Sequence, residues 1–495
     1  MAPSSPRRER QRGFPVSSRS RRDQTPGTGR DPGSDPAPGR TPIDVPGTLP
    51  GAAAAPPSLR KNFAARLAAD AYVLVTALVA ATITARVLGP SGRGYYASLT
   101  LLSVLFAQIF DAGLGEASIV LPGRTRASRE TAVSATVAVL IPLGVVGAAV
   151  CMLTGVVTLH VVTANDRLAL ALAGVLLPLN LCSSTLAWFL VSRERLVLVA
   201  LVTALSSTVI TVSIYIAVAV VHMGVAGAML GSVLGAAAVI VPLGRALRQE
   251  AISIRPVWNG SYLRSAVAFG MMVQVSNLLV QVTARLDLLF VYRIAGAASA
   301  GMYSVALTIG ALVGSVPIAV AYTAFPRLPK LDAPDAHALI AGLFRAGVSA
   351  SLVCAVTLAA ITPVVIPFVF GPAYTGAVLP TLILIPSGVF WSGQWILCRS
   401  VASRQVAKPL VVSFASSFAI MVLLDLAVIG RYGAAGAGAA SLLASAAGFA
   451  IAVRYYLLSG SPWRALVPHL ADLGLMSTMV RQMLGSLRGR GSSPS

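Results

Sequence analysis

The sequence predicts an all-α polytopic membrane protein of about twelve transmembrane helices, arranged as two six-helix bundles related by a parallel internal repeat. Three observations predict it. Apolar residues make up 56% of the 495-residue chain and charged residues 11%, with a mean hydropathy of +0.79. Apolar runs of membrane-spanning length recur from Leu59 to residue 457. The chain also resembles itself at a shift of 207 residues. A soluble protein of this length needs a far more charged surface, so the excess apolar surface must face lipid. Strand-like alternation is not sustained, which excludes an outer-membrane barrel.

Residues 1–60 are rich in Pro, Gly, Ser and Arg without an apolar period, and read as a disordered, basic cytoplasmic tail. They contain no apolar h-region, so no cleavable signal peptide is expected there. Helices are expected near 64–88, 94–120, 131–157, 166–191, 196–221 and 223–247, which form a first bundle over 61–250. A second bundle over 251–457 holds helices near 262–293, 299–325, 338–368, 375–398, 407–430 and 433–457. Beyond it, in 458–495, Trp463, Leu466, Val467 and Leu470 recur at helical spacing ahead of a flexible basic tail. That pattern reads as a short interfacial helix on the cytoplasmic side.

The net charge of +21 is carried largely by the tails and by arginines beside apolar runs, not by a folded basic surface, so nucleic-acid binding is not expected. One set of short loops holds fourteen Lys and Arg residues, among them Arg124, Arg193, Arg248, Arg327 and Arg404. The opposite loops hold Arg93, Arg167 and Arg431, with Arg86 and Arg293 at helix ends. The positive-inside rule then places both termini in the cytoplasm, for a multi-pass protein of the cell membrane. Four scattered cysteines and four scattered histidines have no metal-ligand spacing, and no cofactor is expected.

At the 207-residue shift, Arg86 meets Arg293, Gly89 meets Gly296, Gly94 meets Gly301, Tyr96 meets Tyr303, and Asp70 falls on Asn277. Gly224 and Gly227 meet Gly433 and Gly436 at a shift of 209. Six helices separate the copies, so both halves insert in the same orientation about an axis along the membrane normal.

The run Arg86-Val87-Leu88-Gly89-Pro90-Ser91-Gly92-Arg93-Gly94-Tyr95-Tyr96, followed by Asp111-Ala112-Gly113-Leu114, resembles the signature of the oligosaccharide flippases. So does Asp287, followed by Gly301-Met302-Tyr303-Ser304-Val305-Ala306 and Phe325-Pro326. These flippases form the polysaccharide biosynthesis and export branch of the multidrug/oligosaccharidyl-lipid/polysaccharide exporter superfamily. The resemblance spans roughly residues 60–457. It implies a flippase that moves a polyprenyl-diphosphate-linked oligosaccharide to the outer leaflet by alternating access. A coupling cation (H+ or Na+), membrane lipid and glycan polymerase machinery are the partners to expect. Drug/cation antiporters and peptidoglycan-precursor flippases are the alternative readings within the superfamily. The former lack the Arg-Val-Leu-Gly-Pro motif, and the latter usually add two C-terminal helices.

Charged residues near a helix centre cost about 2.5–3.5 kcal/mol each on insertion scales, so each needs a reason. Gln274, Asn277, Gln281 and Arg285 follow at steps of three, four and four, and share one face of the seventh helix. They line either a cavity or a polar seam between helices. Asp287 falls on the opposite side of that helix, as spacing reads it. Arg66 and Asp70 can pair, or Arg66 can snorkel to the surface. Arg86 and Arg293 sit near outer helix ends, and Arg345 lies about two turns into the ninth helix. All of these arginines are candidates for holding a diphosphate, whose oxygens match a guanidinium fork. Asp70, Asp111 and Asp287 are candidates for charge pairing or coupling, with Asp111 within reach of an arginine of the first or seventh helix. Asp425 reads as a local feature. No catalytic constellation appears and the loops are too short for a nucleotide-sugar domain, so an enzyme is not expected.

Overall fold

In the computed structural model the described residues are 57–120, 129–193, 195–249, 257–324, 328, 331–402, 408–458 and 463–467. Residues 1–56 of the expected N-terminal tail, and the C-terminal residues after 467, lie outside them, while residues 57–60 belong to the first helix rather than to a tail. All regular structure among the described residues is helical. The first half holds α1 (Pro57–Asp111), α2 (Leu114–Val120), α3 (Arg129–Thr158), α4 (Ala164–Val191), α5 (Leu196–Ile214), α6 (Gly224–Ala238) and α7 (Ile240–Gln249). The second holds α8 (Gly260–Arg285), α9 (Asp287–Ala324), α10 (Ala333–Phe370), α11 (Val378–Ala402) and α12 (Lys408–Leu458).

Among the described residues, nine continuous helical stretches are long and apolar enough to cross a membrane. Three of them are too long for one crossing. α1 has 55 residues and α12 has 51, so either would be roughly 80 Å long if straight, against a hydrocarbon core of about 30 Å. Each breaks at a glycine of positive φ: Gly89 (φ 67°) in α1 and Gly433 (φ 56°) in α12. The stretch Val273–Ser315 breaks in the same way at Gly296 (φ 86°). An L side chain would be strained at these angles, and Pro90 follows Gly89 as the first residue of the new helix, where its fixed φ is an advantage. The chain folds back at the first turn, because the Arg93 side chain donates to the carbonyl of Ala81, twelve residues earlier, at 3.1 Å. In a straight helix those residues would stand about 18 Å apart. Two crossings in each of three stretches bring the total to twelve.

The internal repeat therefore recurs in the backbone itself. Gly89 and Gly296 share one unusual conformation (ψ 179° and 170°), and Gly224 (φ 62°) and Gly433 (φ 56°) match at the second shift. A side-chain contact repeats as well. Tyr96 lies 2.9 Å from Ser232 through their hydroxyls, and the equivalent Tyr303 lies 3.3 Å from Ser441. All of these glycines lie at one end of the helices, called here the turn end. The opposite end, where α1 begins and α12 finishes, is the terminal end.

Small residues let the helices pack closely. A Cβ on Gly448 would stand 1.8 Å from Ser417 Oγ, so the two arms of α12 meet backbone to side chain. The outward faces are apolar and uncovered, as at Val157 (71%), Val364 (71%) and Leu423 (69%), which is what lipid contact requires. After α12 a short 3-10 turn, Trp463–Leu466, takes the place of the first turn of the expected interfacial helix.

Candidate functional site

A cavity of about 780 Å³ lies between the two halves, lined from α1, α5, α8, α9, α11 and α12. Two guanidinium groups line it, those of Arg93 and Arg285. Sequence reasoning placed Arg93 in a loop, because it sits in a Gly-Pro-Ser-Gly run. The second arm of α1 begins directly after Gly89, so Arg93 is one turn inside it and is buried. It donates to Thr84 Oγ1 at 2.5 Å and to the Ala81 carbonyl, while its Nε has no partner. Arg285 is exposed to the cavity, and no hydrogen bond to it is found among the described residues.

The seventh-helix face divides between two tasks. Gln281 and Arg285 line the cavity. Gln274 and Asn277 lie nearer the terminal end and stitch the halves together. Gln274 donates to the backbone carbonyl of Gln108 and to its side-chain oxygen (3.3 Å). Asn277 donates to Glu116 at 2.8 Å and accepts from Arg399 at 2.9 Å. Glu116, on the short α2, and Arg399, at the end of α11, were not picked out from the sequence. Burial raises the Glu116 carboxyl above the usual range, against the opposing pull of Asn277 and Arg399. Beside this cluster the backbones of Gly113 and Gly270 touch, since a Cβ on Gly113 would meet the Gly270 carbonyl at 2.3 Å. At the turn end Gly94 and Gly301 make the same kind of contact. The halves thus meet at both ends of the cavity.

Asp287 is not on the far side of the helix. The helical ladder tightens to an i→i+3 bond between Leu286 and Leu289, and past it Asp287 backs onto the same cavity as Arg285. It is 1% exposed and accepts from Tyr303, from Ser441 (2.7 Å) and from the Leu288 amide (2.8 Å). Asp425 is not a local feature either. It is fully buried, neither of its carboxylate oxygens has a hydrogen-bond partner among the described residues, and it lies within electrostatic reach of Asp287 and Tyr303. These oxygen donors suit a proton or a hard monovalent cation. No group of three or more metal-ligating His, Cys, Asp or Glu residues occurs among the described residues.

The remaining candidates stand elsewhere. Arg86 is exposed and donates to the carbonyls of Val369 (2.8 Å) and Phe368, capping the C-terminus of α10. Arg293 is exposed at the turn end, outside the cavity wall. Arg345 donates to the Ala465 carbonyl at 2.7 Å, which ties the 3-10 turn to α10. Asp70 is exposed on α1, and the Arg66 side chain lies outside the described residues. No contact between Asp111 and an arginine is found among the described residues. It is buried, accepts from Thr185 at 3.5 Å, and lines a second, smaller cavity inside the first half.

Twelve crossings in two repeated halves around a shared polar cavity define a transporter fold rather than an enzyme's. Solved structures agree. The chain matches the lipid II flippase MurJ in an inward closed conformation with a TM-score of 0.68 and 12% identity, covering 87% of this chain and 93% of that one. It matches an inward-facing multidrug resistance MATE family transporter of the MOP superfamily with a TM-score of 0.61 and 12% identity, covering 78% and 94%. A mutant of the Vibrio cholerae MATE transporter VcmN matches at 0.57 and 12%, covering 83% and 99%. At such identity these likenesses show the fold. No curated protein sequence matches the chain significantly. The family follows from residues 59–332, over half of the chain, which match the polysaccharide biosynthesis protein family. The chain is a multi-pass membrane member of that family.

Proposed function

We propose that the protein is a flippase that carries a polyprenyl-diphosphate-linked oligosaccharide from the cytoplasmic to the outer leaflet, for export of cell-surface polysaccharide. The observation that carries this reading is the pair of guanidiniums, Arg93 and Arg285, in a cavity shared by both halves. Each offers charged donors that match diphosphate oxygens and stay ionised in a low dielectric. Gln281 and Tyr96 beside them suit sugar hydroxyls, and the polyprenyl tail remains in lipid. Membership of a polysaccharide biosynthesis family supports a glycan cargo. The halves correspond to bundles over 61–250 and 251–457, which rock against each other so that the two closed ends open in turn. The basic loops assign the terminal end to the cytoplasm. Asp287 and Asp425 hold the coupling H+ or Na+, and polymerase machinery receives the glycan outside.

A cation-coupled multidrug antiporter is the second reading, favoured by the buried Asp287–Asp425 pair. Two arginines in the cavity wall oppose it, since they repel cationic drugs. A peptidoglycan-precursor flippase would use the same arginines on a different headgroup. A strain lacking the protein tests all three. Accumulation of lipid-linked oligosaccharide on the cytoplasmic leaflet, restored by wild type but not by Arg285→Ala, is the expected result. Altered drug sensitivity with intact glycan export would establish the antiporter instead.

A further inference from the structure

The second cavity, of about 380 Å³, lies inside the first half between α1, α4, α5 and the α6–α7 segment. Its wall includes Gln108, Asp111, Asn180, Ser183, Thr203 and Ser206. Trp188 contributes an aromatic face. Val104, Thr203 and Ser206 line both this chamber and the central cavity, so the two spaces adjoin.

The hydroxyls of the wall have a definite hydrogen-bonding sense. Ser183 donates to the Asn180 carbonyl (3.1 Å), Thr203 to Val199 (2.8 Å) and Ser206 to Gly235 (3.0 Å). Their hydrogens are committed to the helices, and what they offer a ligand is lone pairs. Asp111 adds an acceptor-only carboxylate when ionised, which also accepts from Thr185 and from the Gly113 amide. The Gln108 and Asn180 amides add donors, so the chamber suits a guest rich in hydroxyls, which both donate and accept. It is too large for a bare ion and of a size for one sugar ring, and a tryptophan face beside acceptors is a surface on which a ring can stack.

We propose that this chamber is a saccharide subsite, which takes one donor-rich hexose unit of the transported glycan and favours an amino sugar whose ammonium meets Asp111. This rests on the flippase reading and divides the labour of recognition. The arginines of the central cavity hold the diphosphate, and the chamber reads the sugar. Charge sorts the two ends of the cargo, because a phosphate is repelled by Asp111 and an ammonium by Arg93 and Arg285.

The test uses the full-length protein in lipid nanodiscs, titrated with glucosamine, glucose and NaCl. The readout is the fluorescence of Trp188, isolated by comparison with Trp188→Phe. Glucosamine is expected to give a saturable change, with glucose about tenfold weaker for want of the charge-assisted contact. Asp111→Asn is expected to erase that preference, and Asn180→Ala and Ser183→Leu to weaken both sugars. Farnesyl diphosphate, followed by calorimetry, serves as the independent probe of the central cavity. Its retention in Ser183→Leu shows that this variant is folded, and its loss in Arg285→Gln supports the diphosphate assignment. A fluorescence response to NaCl equal to that of the sugars would make the chamber a cation site and overturn the proposal. So would farnesyl diphosphate binding with no saturable sugar response. Sugar binding without any farnesyl diphosphate binding would instead sink the flippase reading.

Discussion

Gly94 and Gly301 occupy equivalent positions in the two halves, and they press against each other's chain at the turn end of the cavity. A Cβ on Gly94 would lie 1.9 Å from the Ala297 carbonyl, and one on Gly301 would lie 1.9 Å from the Pro90 carbonyl. Neither contact partner is a flexible side chain, so a methyl group at either position must push the halves apart. Overpacking of this kind costs about 1–3 kcal/mol, enough to shift a two-state equilibrium about fivefold or more. Gly94→Ala and Gly301→Ala are expected to hold the turn end open and to slow transport. Spin labels at Val87 and Ile294, both exposed, would report a longer distance in the variants. An unchanged distance would remove this contact from the gating scheme.

The terminal end carries a pH-sensitive contact. Burial in the closed form raises the Glu116 carboxyl above its ordinary value, which opening and hydration would restore. The closed form therefore binds the proton more tightly. Its extra stability is present below the ordinary carboxylate range and fades as pH rises through the raised value. Glu116→Gln keeps an acceptor for Asn277 and is expected to abolish that dependence, as followed by cysteine accessibility at this end between about pH 4 and pH 8. Asn277→Ala leaves Glu116 and Arg399 without their bridge and is expected to open the end, at a cost of about 1–3 kcal/mol. The same pH profile in Glu116→Gln and wild type would rule out this carboxyl as the source.

Stability and transport should part company at Asp425. Its two oxygens are buried without partners, a condition that costs about 1–3 kcal/mol. Asp425→Leu is expected to melt at a higher temperature in detergent than wild type, while its transport no longer responds to an imposed ion gradient. A lower melting temperature together with intact coupling would show that the carboxylate is merely structural.

Arg86 should behave in the opposite manner. It caps two carbonyls of α10 outside the cavity wall, so Arg86→Ala is expected to lose about 2 kcal/mol of stability while binding farnesyl diphosphate as wild type does. Arg86→Lys restores part of the loss. Weakened diphosphate binding in a well-folded Arg86→Ala protein would return this residue to the substrate path.

Much of this architecture could be read from the residues. Hydropathy sets the crossings, and the Gly89/Gly296 and Gly224/Gly433 pairs mark the turns because their backbone angles demand glycine. The helical face from Gln274 to Arg285 was also legible, but periodicity carries no depth. Gln274 and Asn277 take their roles from Gln108, Glu116 and Arg399, which lie in other helices. Arg93 was hidden because a Gly-Pro-Ser-Gly run reads as a loop, although proline directly after a positive-φ glycine is also how a new helix starts. Asp425 looked solitary because its neighbour Asp287 belongs to a distant stretch of the chain, and only packing brings them together.

The matched Tyr96–Ser232 and Tyr303–Ser441 pairs repeat one six-helix contact pattern in both halves. The charges that line the cavity are not duplicated. Arg93 corresponds by position to Ala300, Asp287 to Ala80, and Arg285 to Leu78. The two halves share a scaffold, and within the shared contact pattern one holds a buried arginine and the other a buried acid. A protein assembled from two copies of the first half would keep its hinges and lose Asp287, the acid that lines the cavity.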